Sequence, residues 1–277
     1  MIRPYRSAIR RAHAAGSADP RPARQRTPDS QWFWDHYEEA PTEIVRFCDA
    51  AGLSLISRTI ADIGCGDGIM ALGLCRLTRP RKLVGFDIVP TNTEILLARS
   101  RSCGEEGSLP AELQFRASEP TSTGAAEGEF DFVYSWSAFE HIADPMAMLA
   151  EIRRILRPEG HFFLQLWPFY RSAKGSHLWD WFPQDFHHLT ENDRDIVAQL
   201  HSSERHSEEW TAYMIREFER LNRITLDELQ RAVLAAGFQV RRLELVTAPV
   251  QLRGELSSHS WSDLAIGGVK LLALPGS

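Results

Sequence analysis

Residues 59–74, TIADIGCGDGIMALGL, constrain this chain more than any other stretch. Thr59 to Ile63 is a short apolar run, the pattern of a strand buried on both faces. Gly64, Gly66 and Gly68 follow at alternate positions, and Ile69-Met70-Ala71-Leu72-Gly73-Leu74 then reads as a helix. A strand–glycine loop–helix unit lets a ligand approach the backbone, because glycine has no Cβ in the way and tolerates positive φ. The order is G-x-G-x-G with Asp62 two residues ahead of it, whereas the dinucleotide fingerprint is G-x-G-x-x-G without that acid. A carboxylate there suits a ligand carrying an ammonium group and works against a pyrophosphate.

A second apolar run, Lys82 to Ile88, ends at Asp87. An acid at the tip of the second strand, about 20 residues past the glycine loop, is placed to hydrogen-bond both hydroxyls of a ribose, and it would repel a 2′-phosphate. Two more pieces follow in order, FDFVYSWSAFEHI over residues 130–142 and LRPEGHFFL over residues 156–164. Together these four segments resemble the class I S-adenosylmethionine (SAM)-dependent methyltransferases, and among them the small-molecule enzymes with Glu-His after strand four. The likeness is close over residues 59–166 and holds in outline beyond.

That resemblance implies an α/β, doubly wound, seven-stranded and mostly parallel sheet in the order 3-2-1-4-5-7-6, with strand seven antiparallel. Alternating patterns place strands near 59–64, 82–88, 113–117, 130–136, 160–167, 238–246 and 269–274. Helices fit 42–51, 69–78, 91–103 and 145–157, and Thr225 with Glu228 forms a capping box for another that stops at Gly237. Residues 1–30, rich in Arg, Ala, Ser and Pro, read as a disordered tail, and 31–277 as a single domain. Residues 169–222 interrupt the alternation after strand five and are too long for a plain connection, so they read as a substrate lid. Within it Trp179, Trp181, Phe182 and Phe186 are expected at the pocket mouth, and Trp210, Met214, Phe218 and Leu221 to pack one helix on the body.

Composition removes several function classes. The net charge of −6 gives no reason to bind nucleic acid, and no apolar run reaches the roughly 18 residues of a membrane helix. Cys48, Cys65, Cys75 and Cys103 have neither C-x-x-C pairing nor metal-ligand rhythm, as expected of reduced cysteines in a cytoplasmic protein. The strand-four end reads Ser135-Trp136-Ser137-Ala138, not the N/D-P-P-[YF] associated with methylation of base amino groups.

On the resemblance, SAM is the cofactor. Asp62 is expected at its methionine ammonium, Gly64, Cys65, Gly66 and Gly68 at the loop, and Asp87 and Ile88 at the ribose. Ser118 or Glu119 would face the adenine, and Ser135 and Trp136 end strand four, where the loop runs under the methyl donor. Methyl transfer to oxygen needs alignment and a base, and His141, just past strand four, is the preferred base with Glu140 beside it. His177 and His188 in the lid are further catalytic candidates. In some relatives an acid and a histidine in this element hold a divalent metal, so Glu140 and His141 are also the first metal candidates, although no established ligand spacing is present. The resulting expectation is a methyltransferase acting on a hydroxyl of a sugar, glycolipid or secondary metabolite. Its rivals are a non-catalytic SAM-binding subunit and a nicotinamide-dependent oxidoreductase. Neither oligomeric state nor the acceptor is legible.

Overall fold

The computed structural model describes residues 28–105, 107–252 and 254–276. The expected disordered tail lies outside the described residues except at its end, where helix α1 (Pro28–Trp34) already begins. It continues through a wider π-type turn (Asp35–Glu39) into α2 (Ala40–Asp49). Of the three consecutive aromatics on α1, Phe33 and Trp34 are buried while Trp32 stays exposed.

The alternation read from sequence is present. β1 (Thr59–Ile63), α3 (Ile69–Thr78), β2 (Lys82–Asp87), α4 (Thr93–Ser102), β3 (Leu113–Ala117), β4 (Phe130–Trp136), α5 (Pro145–Ile155) and β5 (Leu156–Leu166) follow in order. Three short or medium helices then fall within residues 169–222, the expected insertion: α6 (His187–Thr190), α7 (Asp193–His201) and α8 (Glu208–Glu219). α9 (Leu226–Ala235), β6 (Phe238–Thr247), α10 (Trp261–Ala265) and β7 (Ile266–Pro275) complete the chain. The capping box of α9 forms as expected, Thr225 and Glu228 bonding each other's backbone reciprocally.

The seven strands run in the order β3-β2-β1-β4-β5-β7-β6. Pairing is parallel from β3 through β5, while β7 is antiparallel to both β5 and β6. β5 begins at Leu156 rather than near residue 160, because the Leu-Arg-Pro-Glu-Gly segment pairs Leu156 with Phe130 across a register shift.

The sheet has a core on each face. One is built from Val84, Val133, Phe162 and Leu271 with Leu149, Ile152 and Val233 of α5 and α9. The other joins Ile60, Leu83, Phe132 and Phe163 to α2 and α3. The insertion has a third core of its own, Leu178, Trp181, Ile196, Leu200, Ile215 and Phe218. This corrects the expected packing: Thr211, Ile215 and Phe218 form the buried face of α8, and Trp210 lies on its exposed side. Trp181 and Phe186 likewise sit in interior clusters, not at a pocket mouth.

Candidate functional site

Parallel strands that all end on one edge leave their following loops to converge there, which is where ligands bind in open α/β sheets. At that edge lies one cleft of about 2400 Å³, reaching from Gly64 and Asp87 to the insertion and β7. Typical small-ligand pockets hold about 300–1,000 Å³, so there is room for a cofactor and an acceptor together.

The three loop glycines have different reasons to be glycine. A Cβ on Gly64 would stand 2.5 Å from Cβ of Ala138, and one on Gly68 would strike the Phe115 ring at 2.7 Å. Gly66, at φ +52, has nothing within 4 Å of that position and opens onto the cleft. Gly64 and Cys65 line the cleft beside it, whereas Gly68 is set behind them and serves packing, a correction to its expected ligand role. Cys65 is buried and its thiol is held well above the usual range by that burial.

Asp87 caps this loop. One carboxylate oxygen accepts from the Gly66 amide at 2.8 Å and the other from the Val89 amide at 2.9 Å, with Ile88 exposed on the wall alongside. Ser118 and Glu119 line the same chamber, Ser118 donating its amide to the Asp87 carbonyl at 2.9 Å. Asp62 is buried deeper, and the hydroxyl of Tyr134 on the neighbouring strand donates to it at 2.8 Å. Burial pushes the Asp62 carboxyl up to about 7, against the Tyr134 hydrogen bond and with help from Asp87 and Asp67. A buried acid with no cation among its contacts in the described residues is the complement of a ligand ammonium, and Gly66 and Asp87 suit an adenosine close by. These residues fit SAM.

Ser135 does not join them. It is fully buried and its hydroxyl donates to the Ile63 carbonyl at 2.9 Å, so it ties β4 to β1, while Trp136, Ser137 and Ala138 after it line the cleft. Gln165 of β5 fixes that turn by accepting from both the amide and the hydroxyl of Ser137.

The next turn, Phe139–His141, carries Glu140 and His141 into the cleft. Asn222, at the end of the insertion, clamps it: its side-chain amide donates to the carbonyls of Phe139 and Ile142 at 2.7 and 2.9 Å, and its backbone amide to Glu140. Burial raises the Glu140 carboxyl to about 8. Burial also lowers His141, opposed by Glu217 of α8, whose carboxylate stands 3.5 Å from Nδ1. His177 joins the pair from the insertion, its ring 5.3 Å from that of His141, and burial lowers it to about 3.

His188 is not part of the group. It is buried inside the insertion with Nε2 2.5 Å from the Tyr170 carbonyl, and burial lowers it to about 4, so the catalytic expectation for it is withdrawn. Of the expected lid aromatics only Trp179 lines the cleft. Trp32, Trp136, Trp167, Trp210 and Tyr213 supply the remaining aromatic wall, and Lys270 lies between Glu43 and Glu244 at the far end. Sequence reasoning missed most of these, since they come from five separate elements that only the fold brings together.

Residues 33–243, well over half of the chain, match the family model described as "Methyltransferase domain". The chain belongs to this family. Its sheet order and layers are those of the class I SAM-dependent methyltransferase fold. Among curated relatives, an enzyme named ubiquinone biosynthesis O-methyltransferase from Methylobacterium sp. (strain 4-46) is 33% identical over 109 residues, 39% of this chain and 41% of that one. One of the same name from Xanthomonas oryzae pv. oryzae (strain PXO99A) is 28% identical over 115 residues, 42% of this chain and 45% of that one. The chain thus spans about two-fifths of the length of the curated relatives it matches. In fold, it is similar to a geranyl diphosphate C-methyltransferase from Streptomyces coelicolor A3(2), with TM-score 0.54 at 15% identity, covering 86% of this chain and 77% of that one. The YcgJ protein of Bacillus subtilis gives TM-score 0.52 at 13% identity, covering 86% and 99%. Among the described residues no helix is long and apolar enough to cross a membrane.

Proposed function

We propose that the chain methylates a hydroxyl oxygen on a small, ring-bearing acceptor. The observation that carries this is the meeting, in one cleft, of the Gly66–Asp87 chamber with the Glu140–His141–His177 group. The sulfonium of SAM supplies a methyl group that is already electrophilic, so the protein has to hold, align and deprotonate.

In this reading Asp62 holds the ammonium of the cofactor and Asp87 its ribose, with the adenine toward Ser118 and Glu119. His141 takes the acceptor proton. Its imidazole is neutral at pH 7 because burial disfavours the charged form, and Glu217 beside it favours the imidazolium that results. The aromatic wall of Trp136, Trp167, Trp179, Trp210 and Tyr213 suits a ring or an apolar chain with few polar groups. A sugar, glycolipid or secondary metabolite remains the acceptor class proposed, and residues 169–222 act as its lid. The name O-methyltransferase borne by the curated relatives supports oxygen as the acceptor atom.

The test is transfer of labelled methyl from SAM to a panel of hydroxylated aromatic and glycosidic acceptors, with the metal-free chain and its His141→Gln variant. The variant should bind SAM as the parent does and turn over about 100-fold more slowly at neutral pH. Label recovered on carbon or nitrogen would remove the oxygen reading, and full activity in the variant would remove His141 as base.

A further inference from the structure

β4, β5, β7 and β6 lie side by side, and their register brings one row of side chains to the cleft. Trp136 of β4 is paired with Gln165 of β5, Gln165 with Lys270 of β7, and Lys270 with Glu244 of β6. Paired residues share a face of the sheet, so these four form one continuous floor, and Glu43 of α2 meets it at Lys270. Strands about 4.8 Å apart put Lys270 about 10 Å beyond Trp136, on the side away from the Gly66–Asp87 chamber.

Two buried groups in this row keep hydrogen-bonding capacity to spare. Gln165 is 8% exposed, and its Oε1 accepts from both the amide and the hydroxyl of Ser137. A backbone N–H can only donate, so Ser137 fixes which end of the side-chain amide is oxygen. The Nε2 end is left without a hydrogen-bond partner among the described residues, on a side chain that lines the cleft. Lys270 is 7% exposed and pairs with Glu43 and Glu244. Burial works against its charge, but the hydrogen bonds to those two carboxylates hold its pKa above the usual lysine value. An ammonium has three N–H donors, and two are used; each carboxylate keeps lone pairs as well.

We propose that Gln165, Lys270, Glu43 and Glu244 form a polyol subsite, which selects a sugar ring as the acceptor. The mixture of groups decides the ligand. An anion on this floor meets Glu43 and Glu244, and a cation meets Lys270. A neutral hydroxyl accepts from Gln165 or Lys270 and donates to a carboxylate, so it satisfies all four. A planar phenol carries its one or two hydroxyls on a single edge and leaves the rest of the floor unpaired, whereas a saturated ring with several hydroxyls spans it. Trp167 stands beside the row, since a Cβ on Gly268, two residues before Lys270, would be 2.9 Å from its Cδ1. Its indole offers the apolar surface that the C–H face of a sugar packs on. The inference rests on the oxygen-methyltransferase reading: one hydroxyl lies at the Trp136 end, by the turn carrying His141, while others reach Gln165 and Lys270.

The experiment is a saturation-transfer NMR titration of the full chain loaded with S-adenosylhomocysteine (SAH). The probes are the methyl glycosides of glucose, galactose, mannose, rhamnose and xylose, with catechol as the phenol. At least one glycoside should bind the parent. Lys270→Met should weaken it about 10- to 100-fold, the worth of a hydrogen bond to a charged group. Gln165→Glu keeps an oxygen for Ser137 and replaces only the group facing the cleft, and it should weaken the glycoside about 3- to 10-fold. SAH titration of each variant reports that it is folded, and catechol should respond to neither substitution. No glycoside bound by the parent, or an affinity unchanged in either folded variant, overturns the subsite. Labelled methyl recovered on a catechol oxygen would then leave oxygen methylation standing without it.

Discussion

Tyr134→Phe should make cofactor affinity strongly pH-dependent while leaving the fold in place. Its hydroxyl donates to Asp62 at 2.8 Å, and that bond is the main influence holding the Asp62 carboxyl down against burial. The folded value of about 7 lies above the ordinary 3.8. Its contribution to stability is therefore fully present below pH 3.8 and is lost as pH rises through about 7, because the folded chain keeps a proton that the unfolded chain gives up. An ammonium docked on Asp62 reverses the effect of burial and requires the ionised form. Binding below pH 7 must then release a proton. A hydrogen bond to a charged group is worth about 1.5–3 kcal/mol, or roughly one to two pKa units. Raising Asp62 from 7 to between 8 and 9 cuts its ionised fraction at pH 7 from about one-half to between about 1/11 and 1/100. SAH affinity should accordingly fall about 5- to 50-fold at pH 7 and approach the parent value as pH rises past the new pKa. The Tyr134 hydroxyl of the parent stays protonated there, since burial and the Asp62 charge hold it well above 10. Calorimetry in two buffers of different ionisation enthalpy measures both the affinity and the proton released. Binding by the parent that is independent of pH between 6 and 8 with no proton release would refute the assignment of Asp62 to the ammonium.

Two further outcomes test how the loop and insertion are built. Gly66→Ala should destabilise by only about 1–2 kcal/mol, the cost of a left-handed alanine, yet weaken SAH sharply by filling the open approach, whereas Gly64→Ala should lose more stability because its Cβ would meet Ala138 at 2.5 Å. Thermal unfolding and SAH titration of both variants separate the two roles. Phe218→Ala, removing a ring from the insertion's own core, should raise hydrogen exchange across residues 169–222 and lower acceptor turnover while SAH affinity holds. Equal loss of SAH binding would mean that the insertion is part of the cofactor chamber.

The sheet was legible because β1 and β2 are short apolar runs closed by Gly64 and Asp87, and because the cleft-lining residues of β1, β2 and β4 lie at or just past the strand ends. Asp62, Gly66, Asp87, Glu140 and His141 are all within a residue or a short turn of a strand terminus. The insertion was not legible for the opposite reason. Its aromatics serve two purposes at once: Trp181 and Phe218 build a core within it while Trp179 and Trp210 face the cleft, and no periodicity distinguishes them. α7 was missed because Ile196 and Leu200 are too few to mark an apolar face in so polar a segment. Ser135 was misplaced because one residue along a strand changes faces, so the residue before Trp136 points into the sheet's interior. Asn222 carried no signal, as its role depends on carbonyls of a turn some 80 residues away.

The most direct test of the central claim is a crystal structure of the chain with SAH. The account predicts the two ribose hydroxyls on the Asp87 carboxylate, the ammonium on Asp62, and the sulfur directed toward the Glu140–His141–His177 group with Gly66 against the ligand. SAH seated elsewhere in the cleft, or with its ribose held by residues other than Asp87, would contradict it.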